Sequence, residues 1–345
     1  MTCDPLAVNV CGSMGIYTAM AIEDSNADCT YATIDASSER YEIISESIRY
    51  TDKLLGGEGL TGTLDSMGNH TRHGTRIVAG SIVMEVGAYA LDKWLPRILG
   101  NPAASTVFTT DEVFDMLPFD IMLRRDQGTV QYRACSVSSA TFTSTASIAG
   151  QGQVMRMTLQ IIGHEEKDDA VWPTGVSEPP LPSGERLYWL LGDGKLVMTA
   201  AADTEPAAIV GSPLEYYFDA FSLRIDNNLQ PKTRNFLKVV CIQSNGRKIR
   251  LRVRTPYTSA SHTNLYINFF KGGGVLSFLG GQLPHNNMEV DALYTTVITL
   301  PDLRQTRVTP ATGGPGEIPL SLDLEAYRVG GASPTEPISI VNTHP

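Results

Sequence analysis

YEIISESIRY (41–50), TDKLLGGEGLTGTLDSMGNHTRH (51–73), GTRIVAGSIVMEV (74–86) and AYALDKWLPRILG (88–100) decide the fold. The first segment reads as a half-buried strand on Ile44, Ile48 and Tyr50. The second is a loop longer than compact domains ordinarily use, with Gly56, Gly57, Gly59, Gly62 and Gly68. Leu54, Leu55, Leu60, Leu64 and Met67 set apolar anchors in that polar loop, which points to binding or assembly. The third is a strand. In the fourth, Ala88, Leu91, Leu95, Ile98 and Leu99 share one helical face, and Asp92, Lys93 and Arg97 take the other. Gly100 and Pro102 stop this helix. Pro96 should either split it in two or kink it.

The same order returns later in the chain. SIRYTD (47–52) is echoed by SLRIDN (222–227), HGTRI (73–77) by NGRKI (245–249), and GQGQVMRMTLQI (150–161) by GPGEIPLSLDLE (314–325). Three echoes in one order, at offsets of 175, 172 and 164, favour a diverged duplication. ASHTNLYINFFKGG (260–273) occupies the second helix slot, although its β-branched and aromatic residues disfavour a helix. Alternating or apolar runs predict further strands at 117–123, 130–145, 153–163, 292–300 and 336–342. AVWPTGVSEPPLPSGE (170–185), with four prolines, reads as a semi-extended linker. The expected layout is an N-terminal arm over 1–40 (or an extra strand on a neighbouring sheet), a β domain over 41–169, the linker, and a related β domain over 186–345. Each domain should be a β-sandwich or barrel with a short flanking helix.

Composition narrows the function. The chain has 345 residues, 42% of them hydrophobic and 19% charged, which suits a folded protein with a sizeable core. A net charge of −10 opposes tight nucleic-acid binding and contact with anionic membranes. No apolar run is long enough to span a bilayer, and the N-terminus lacks the basic region of a signal peptide. Cys3, Cys11, Cys29, Cys135 and Cys241 are odd in number and form no C-x-x-C, so no disulfide framework or zinc site is expected. One disulfide within the arm stays open.

The search for chemistry is negative. His70 and His73 lack further metal ligands at standard spacing, and His164 sits in a charged strand end with Glu165 and Glu166. GGEGLTG and KGGGV lack the G-K-[ST] ending of a P-loop and the βαβ context of a dinucleotide site. No G-x-S-x-G elbow occurs. The expectation is no catalytic, metal or cofactor site. The sharpest charge feature is RKIRLRVR (247–254), where Lys248, Arg250, Arg252 and Arg254 alternate with Ile249, Leu251 and Val253. This is a strand with one basic and one apolar face. It suits a phosphate platform or, better in an acidic chain, a solvated or subunit-facing strand whose charges meet carboxylates. LSLDLE (320–325) offers Asp323 and Glu325 as carboxylate partners, each pair contributing roughly 0.2–1 kcal/mol.

On SESIRYTD with its long loop, TRIVAGSIVMEV followed by ALDKWLPRILG, and GEIPLSLDLEAYR followed by EPISIV, the chain resembles the tail tube (major tail) proteins of long-tailed bacteriophages. The resemblance implies a β-sandwich or barrel with one flanking helix. It implies self-assembly into stacked rings around a channel through which DNA passes unbound, beside other tail proteins, in a virion assembled in the host cytoplasm. It implies that the 51–73 loop is an inter-ring arm. Since most members form hexameric rings from single domains, a duplicated chain implies a trimeric ring with pseudo-sixfold symmetry. A lumen for DNA should avoid positive charge, so the Lys248–Arg254 face is expected at an interface or on the exterior. The alternatives are a ring-forming tail-completion or baseplate hub protein, and a two-domain carbohydrate-binding module using Trp189 and Tyr216.

Overall fold

The computed structural model describes residues 19–24, 33–35, 38–41, 43–56, 71–100, 107–110, 118–125, 128–145, 154–167, 170–172, 194–200, 214–216, 218–233, 239, 241–257, 271–279, 295–310, 318–330 and 335–343. The chain opens with β1 (Ala19–Asp24), β2 (Glu39–Tyr41), β3 (Ser45–Glu46), β4 (Arg49–Gly56) and β5 (Thr71–Glu85), then α1 (Ala88–Leu99). β6 (Val107–Thr109), β7 (Phe119–Arg125), β8 (Gly128–Thr145), β9 (Arg156–Gly163) and β10 (Glu165–Lys167) follow. Next come β11 (Gly194–Ala200), β12 (Leu214–Tyr216), β13 (Ala220–Asp226), β14 (Leu229–Lys232), β15 (Cys241–Ser244) and β16 (Lys248–Pro256). The last are β17 (Lys271–Leu279), β18 (Thr295–Pro310), β19 (Pro319–Tyr327) and β20 (Ser339–Thr343). The protein is mainly β, and α1 is the one helix among the described residues.

Alternation builds the main layer. In β16, Ile249, Leu251 and Val253 are buried while Lys248, Arg250, Arg252 and Arg254 are exposed. β19 buries Leu320, Leu322, Leu324 and Ala326 on the same side, and β9 buries Met157, Leu159 and Ile161. All ladders among the described residues are antiparallel, and the main layer runs β4-β5-β9-β8-β13-β16-β19-β18.

The long strands β8 and β18 each pass from this layer into a second one. The first part of β8 pairs with β7 and β10, and its second part with β9 and β13. The first part of β18 pairs with β17 and β20, and its second part with β19. Behind β8 the second layer is β2-β1-β7, and behind β18 it is β12-β11-β17. One pairing graph therefore occurs twice. β1 and β11 begin 175 residues apart (19 and 194), as do β2 and β12 (39 and 214). Each long strand also shifts register against its hairpin partner, between Val137 and Ser139 in β8 and between Gln305 and Arg307 in β18.

The main core lies between the layers. It joins Ile48, Ile82, Phe142, Leu223, Leu251 and Leu322 of the first layer to Met20, Phe119, Ile121, Ile298 and Ile340 of the second. The stretch expected as an arm thus supplies β1, whose Met20 and Ile22 are in the core. The linker is described only at 170–172, where Ala170 and Trp172 pack on a small satellite of Ala21, Ile34 and Met122.

α1 runs unbroken through Pro96 and ends at Gly100, whose φ of 80° is the left-handed conformation that glycine adopts without cost. Its apolar face buries Leu91, Trp94, Leu95, Ile98 and Leu99. Arg97, read as solvent-facing, is buried instead. Its Nε and Nη2 bind Asp24 Oδ1 at 2.8 and 2.7 Å, and its guanidinium stacks over Trp94 and Phe119. Two aromatic faces and a carboxylate offset the desolvation of the charge. The first strand also differs from expectation. It breaks into β2, β3 and β4, and Ile44 at the break is exposed.

Candidate assembly surface

Two edges of the main layer carry no described partner. β3 and β4 pair with β5 alone. β18 beyond Gln305 pairs with β19 alone. Between them, inside the chain, lies the seam where β13 joins β8, from Ala220↔Thr145 to Asp226↔Ser139. In the repeated graph β13 corresponds to β4, and the second part of β18 to the second part of β8. The seam is thus already the kind of joint that the two open edges would make with each other.

The β3–β4 edge is held firmly from behind. Arg125 Nε and Nη2 bind both Glu46 oxygens at 2.8 and 3.1 Å, a fork geometry that fixes orientation. Arg125 Nη2 also donates to Ile48 O (3.0 Å) and to Tyr132 Oη (3.2 Å), while the Tyr132 hydroxyl donates to Ile48 O at 2.9 Å. Burial pushes the Tyr132 phenol up to about 12, against the opposing pull of Arg125. The Glu46 contact raises the Arg125 pKa further above its usual range. Opposite, Gly80 lets β5 approach closely: a Cβ there would lie 2.4 Å from Ile48 Cα.

A second polar cluster lies at the seam. Asn227 is fully buried, and its Nδ2 donates to Ile98 O of α1 (2.9 Å) and to Val137 O of β8 (3.0 Å). Its backbone N–H donates to Ser138 O at 2.8 Å, and Ser244 Oγ donates to its carbonyl at 2.7 Å. Arg247 Nε donates to Asn227 Oδ1 and Arg247 Nη2 to Leu99 O, both at 2.8 Å. The last carbonyls of a helix have no partner within it. Here the second half of the chain supplies partners, with a cation at the negative end of the helix dipole. The sequence reading missed this cluster. The one available signal was the turn chemistry of Asn227-Asn228 and Asn245-Gly246, bracketing the short β14–β15 hairpin.

The basic row lies where its alternation put it, but not at an edge. β16 is flanked by β13 and β19. Arg252 Nε is hydrogen-bonded to Asp323 Oδ1, which raises the arginine pKa further. Arg250 stands in register with Arg224 and Glu325, Lys248 with Asp226, and Arg254 with Ser321 and Ala220. Of the loop, 51–56 and 71–73 extend the β4–β5 ladder, with Leu54 opposite His73 and Leu55 opposite Arg72. Leu60, Leu64 and Met67 lie outside the described residues, as do Trp189, His70, His262, His285, His344, Cys3, Cys11, Cys29 and 260–270 of the second helix slot, whose last residues, 271–273, begin β17 instead of ending a helix. Cys135 is free and buried. Burial lowers the His164 pKa, against the pull of Glu165. Among the described residues no cluster of three His, Cys, Asp or Glu side chains could hold a metal, and no helix could cross a membrane.

Comparison with known proteins agrees with this geometry. No curated protein matches the chain. A family model described as phage tail tube protein matches residues 29–326, from the approach to β2 through to β19. That span covers nearly all of both copies of the pairing graph, and the chain belongs to the phage tail tube protein family.

Proposed function

We propose that this chain is a tail tube subunit whose copies close into rings by strand pairing, and that the rings stack into a conduit for DNA ejection. The observation that carries the reading is the repeated pairing graph with its two open edges. The β8·β13 seam joins the first half of the chain to the second, and a β18·β4 seam between neighbouring copies repeats that joint. A head-to-tail joint of this kind closes into a ring when its rotation divides a full turn. It also covers two edges that would otherwise invite indiscriminate pairing.

The two halves are a diverged duplication divided near the proline-rich segment, so three chains supply the six units that family members ordinarily bring singly. Among the described residues the main layer has eight strands per chain. At a strand spacing of about 4.8 Å and a tilt near 40°, three chains give a barrel roughly 50 Å across at the backbone. That leaves room for a DNA duplex after side chains are subtracted. The second layer, with α1, covers the apolar side of the main one and therefore belongs on the outer circumference. The open face, with Lys248, Arg250, Arg252 and Arg254, then turns toward the channel. This reverses the expectation that the row meets an interface or the exterior. Asp226, Asp323 and Glu325 stand beside the row and temper its charge. The segment 57–70 serves as the arm to the neighbouring ring. Assembly takes place in the host cytoplasm with other tail proteins.

Negative-stain microscopy of the purified protein tests this. Long tubes of uniform diameter are expected. Isolated rings would favour a tail-completion or hub role, and discrete monomers would overturn the reading.

A further inference from the structure

We propose that Asn227 and Arg247 set the angle between adjoining β units, and through it the number of copies that close a ring. The inference rests on the ring reading above. A ring of repeated joints closes at a number fixed by the turn made at each joint. Strand pairing alone leaves that turn soft, because sheet twist varies over tens of degrees. The β8·β13 seam has a second anchor outside the ladder. Asn227 bonds at once to the end of α1 and to β8 at its register shift, and Arg247 bonds to both Asn227 and the last carbonyl of α1. α1 belongs to the first half, and Asn227 and Arg247 to the second. Rotating one half against the other would strip Ile98 O, Leu99 O and Val137 O of these partners. The bonds are short and buried around Asn227, so the angle is held stiffly.

In the echoed positions of the first half, Asn227 corresponds to Asp52 and Arg247 to Thr75. Neither reproduces the amide fork or the guanidinium. The seam within a chain therefore carries a clamp that the seam between copies builds differently. The clamp makes the ring truly threefold rather than sixfold in its mechanics: stiff within each chain, softer between chains.

The test uses the full-length protein with Arg247→Ala and, as a shape-conserving variant, Asn227→Asp. Copies per ring are counted by native mass spectrometry, and radius of gyration is measured by small-angle scattering on protein kept monomeric at low concentration. Both variants should keep the wild-type far-UV circular dichroism. They should show a larger monomer radius and give mixed ring sizes or open arcs, and Arg247→Lys, which keeps the charge but not the fork, should not restore three-copy rings. Variants with unchanged radius that form only three-copy rings would overturn the clamp. If wild-type protein forms no rings, the functional reading fails instead, while the scattering comparison still decides whether the clamp holds the halves together.

Discussion

At the scale of single residues, several buried polar groups are held by more than one hydrogen bond. Tyr132 is one. Its phenol is pushed up to about 12, above the usual value of about 10, because burial disfavours the phenolate. A raised folded-state pKa means stability that is full below pH 10 and is lost as pH climbs toward 12. Tyr132→Phe removes the bond to Ile48 O and should cost about 1–2 kcal/mol at neutral pH. It should also flatten the alkaline limb of a stability-versus-pH curve from urea titrations. Equal alkaline slopes in the two proteins would contradict the assignment. Gly80 matters for a different reason, close backbone approach. Gly80→Ala forces a Cβ against the backbone at Ile48 and should destabilise by about 1–3 kcal/mol, read from the urea midpoint, while loosening the edge strand β4. Arg97 shows how far residue types mislead. Its charge and helical phase placed it on the solvent face, yet Asp24, 73 residues earlier, draws it inside.

At the scale of elements, what was legible follows period and punctuation. The strict alternation of RKIRLRVR and LSLDLE placed β16 and β19 and left their basic and acidic side chains on one face. Gly100 and the apolar spacing placed α1 over 88–99. Pro96 broke nothing, because a proline near the last turn forfeits one internal bond while flanking packing holds the helix. The edges of the 51–73 loop were misread as loop because Leu54, Leu55 and His73 belong to a ladder whose partner strand is local but irregular, with a register shift between Asp52 and Leu54. β1 was illegible for another reason: Ala19–Asp24 is short and weakly patterned, and only its long-range partner β7 makes it a strand. The same holds for the α1 clamp, whose members lie 129 and 148 residues apart. Deleting 57–69 tests the loop at this scale. The variant should keep the wild-type thermal midpoint within a few degrees and yield rings that do not stack. Normal tube growth would remove the inter-ring role.

At the scale of the whole molecule, one feature governs the rest. Among the described residues one pairing graph occurs twice; one pair of its edges joins within the chain at β8·β13, and the other pair, at β4 and β18, has no described partner. The net charge of −10 makes separate copies repel one another at long range. The polar open face tolerates water in a channel, while the apolar face is already covered by the second layer. Heterologous pairing of the open edges is the assembly proposed above, and membership of the phage tail tube protein family supports it. Electron cryomicroscopy of the assembled tube tests this most directly. The account predicts three copies per ring, with the second part of β18 paired antiparallel to β4 of the next copy. Six copies per ring, or β4 and β18 edges left facing solvent, would contradict it.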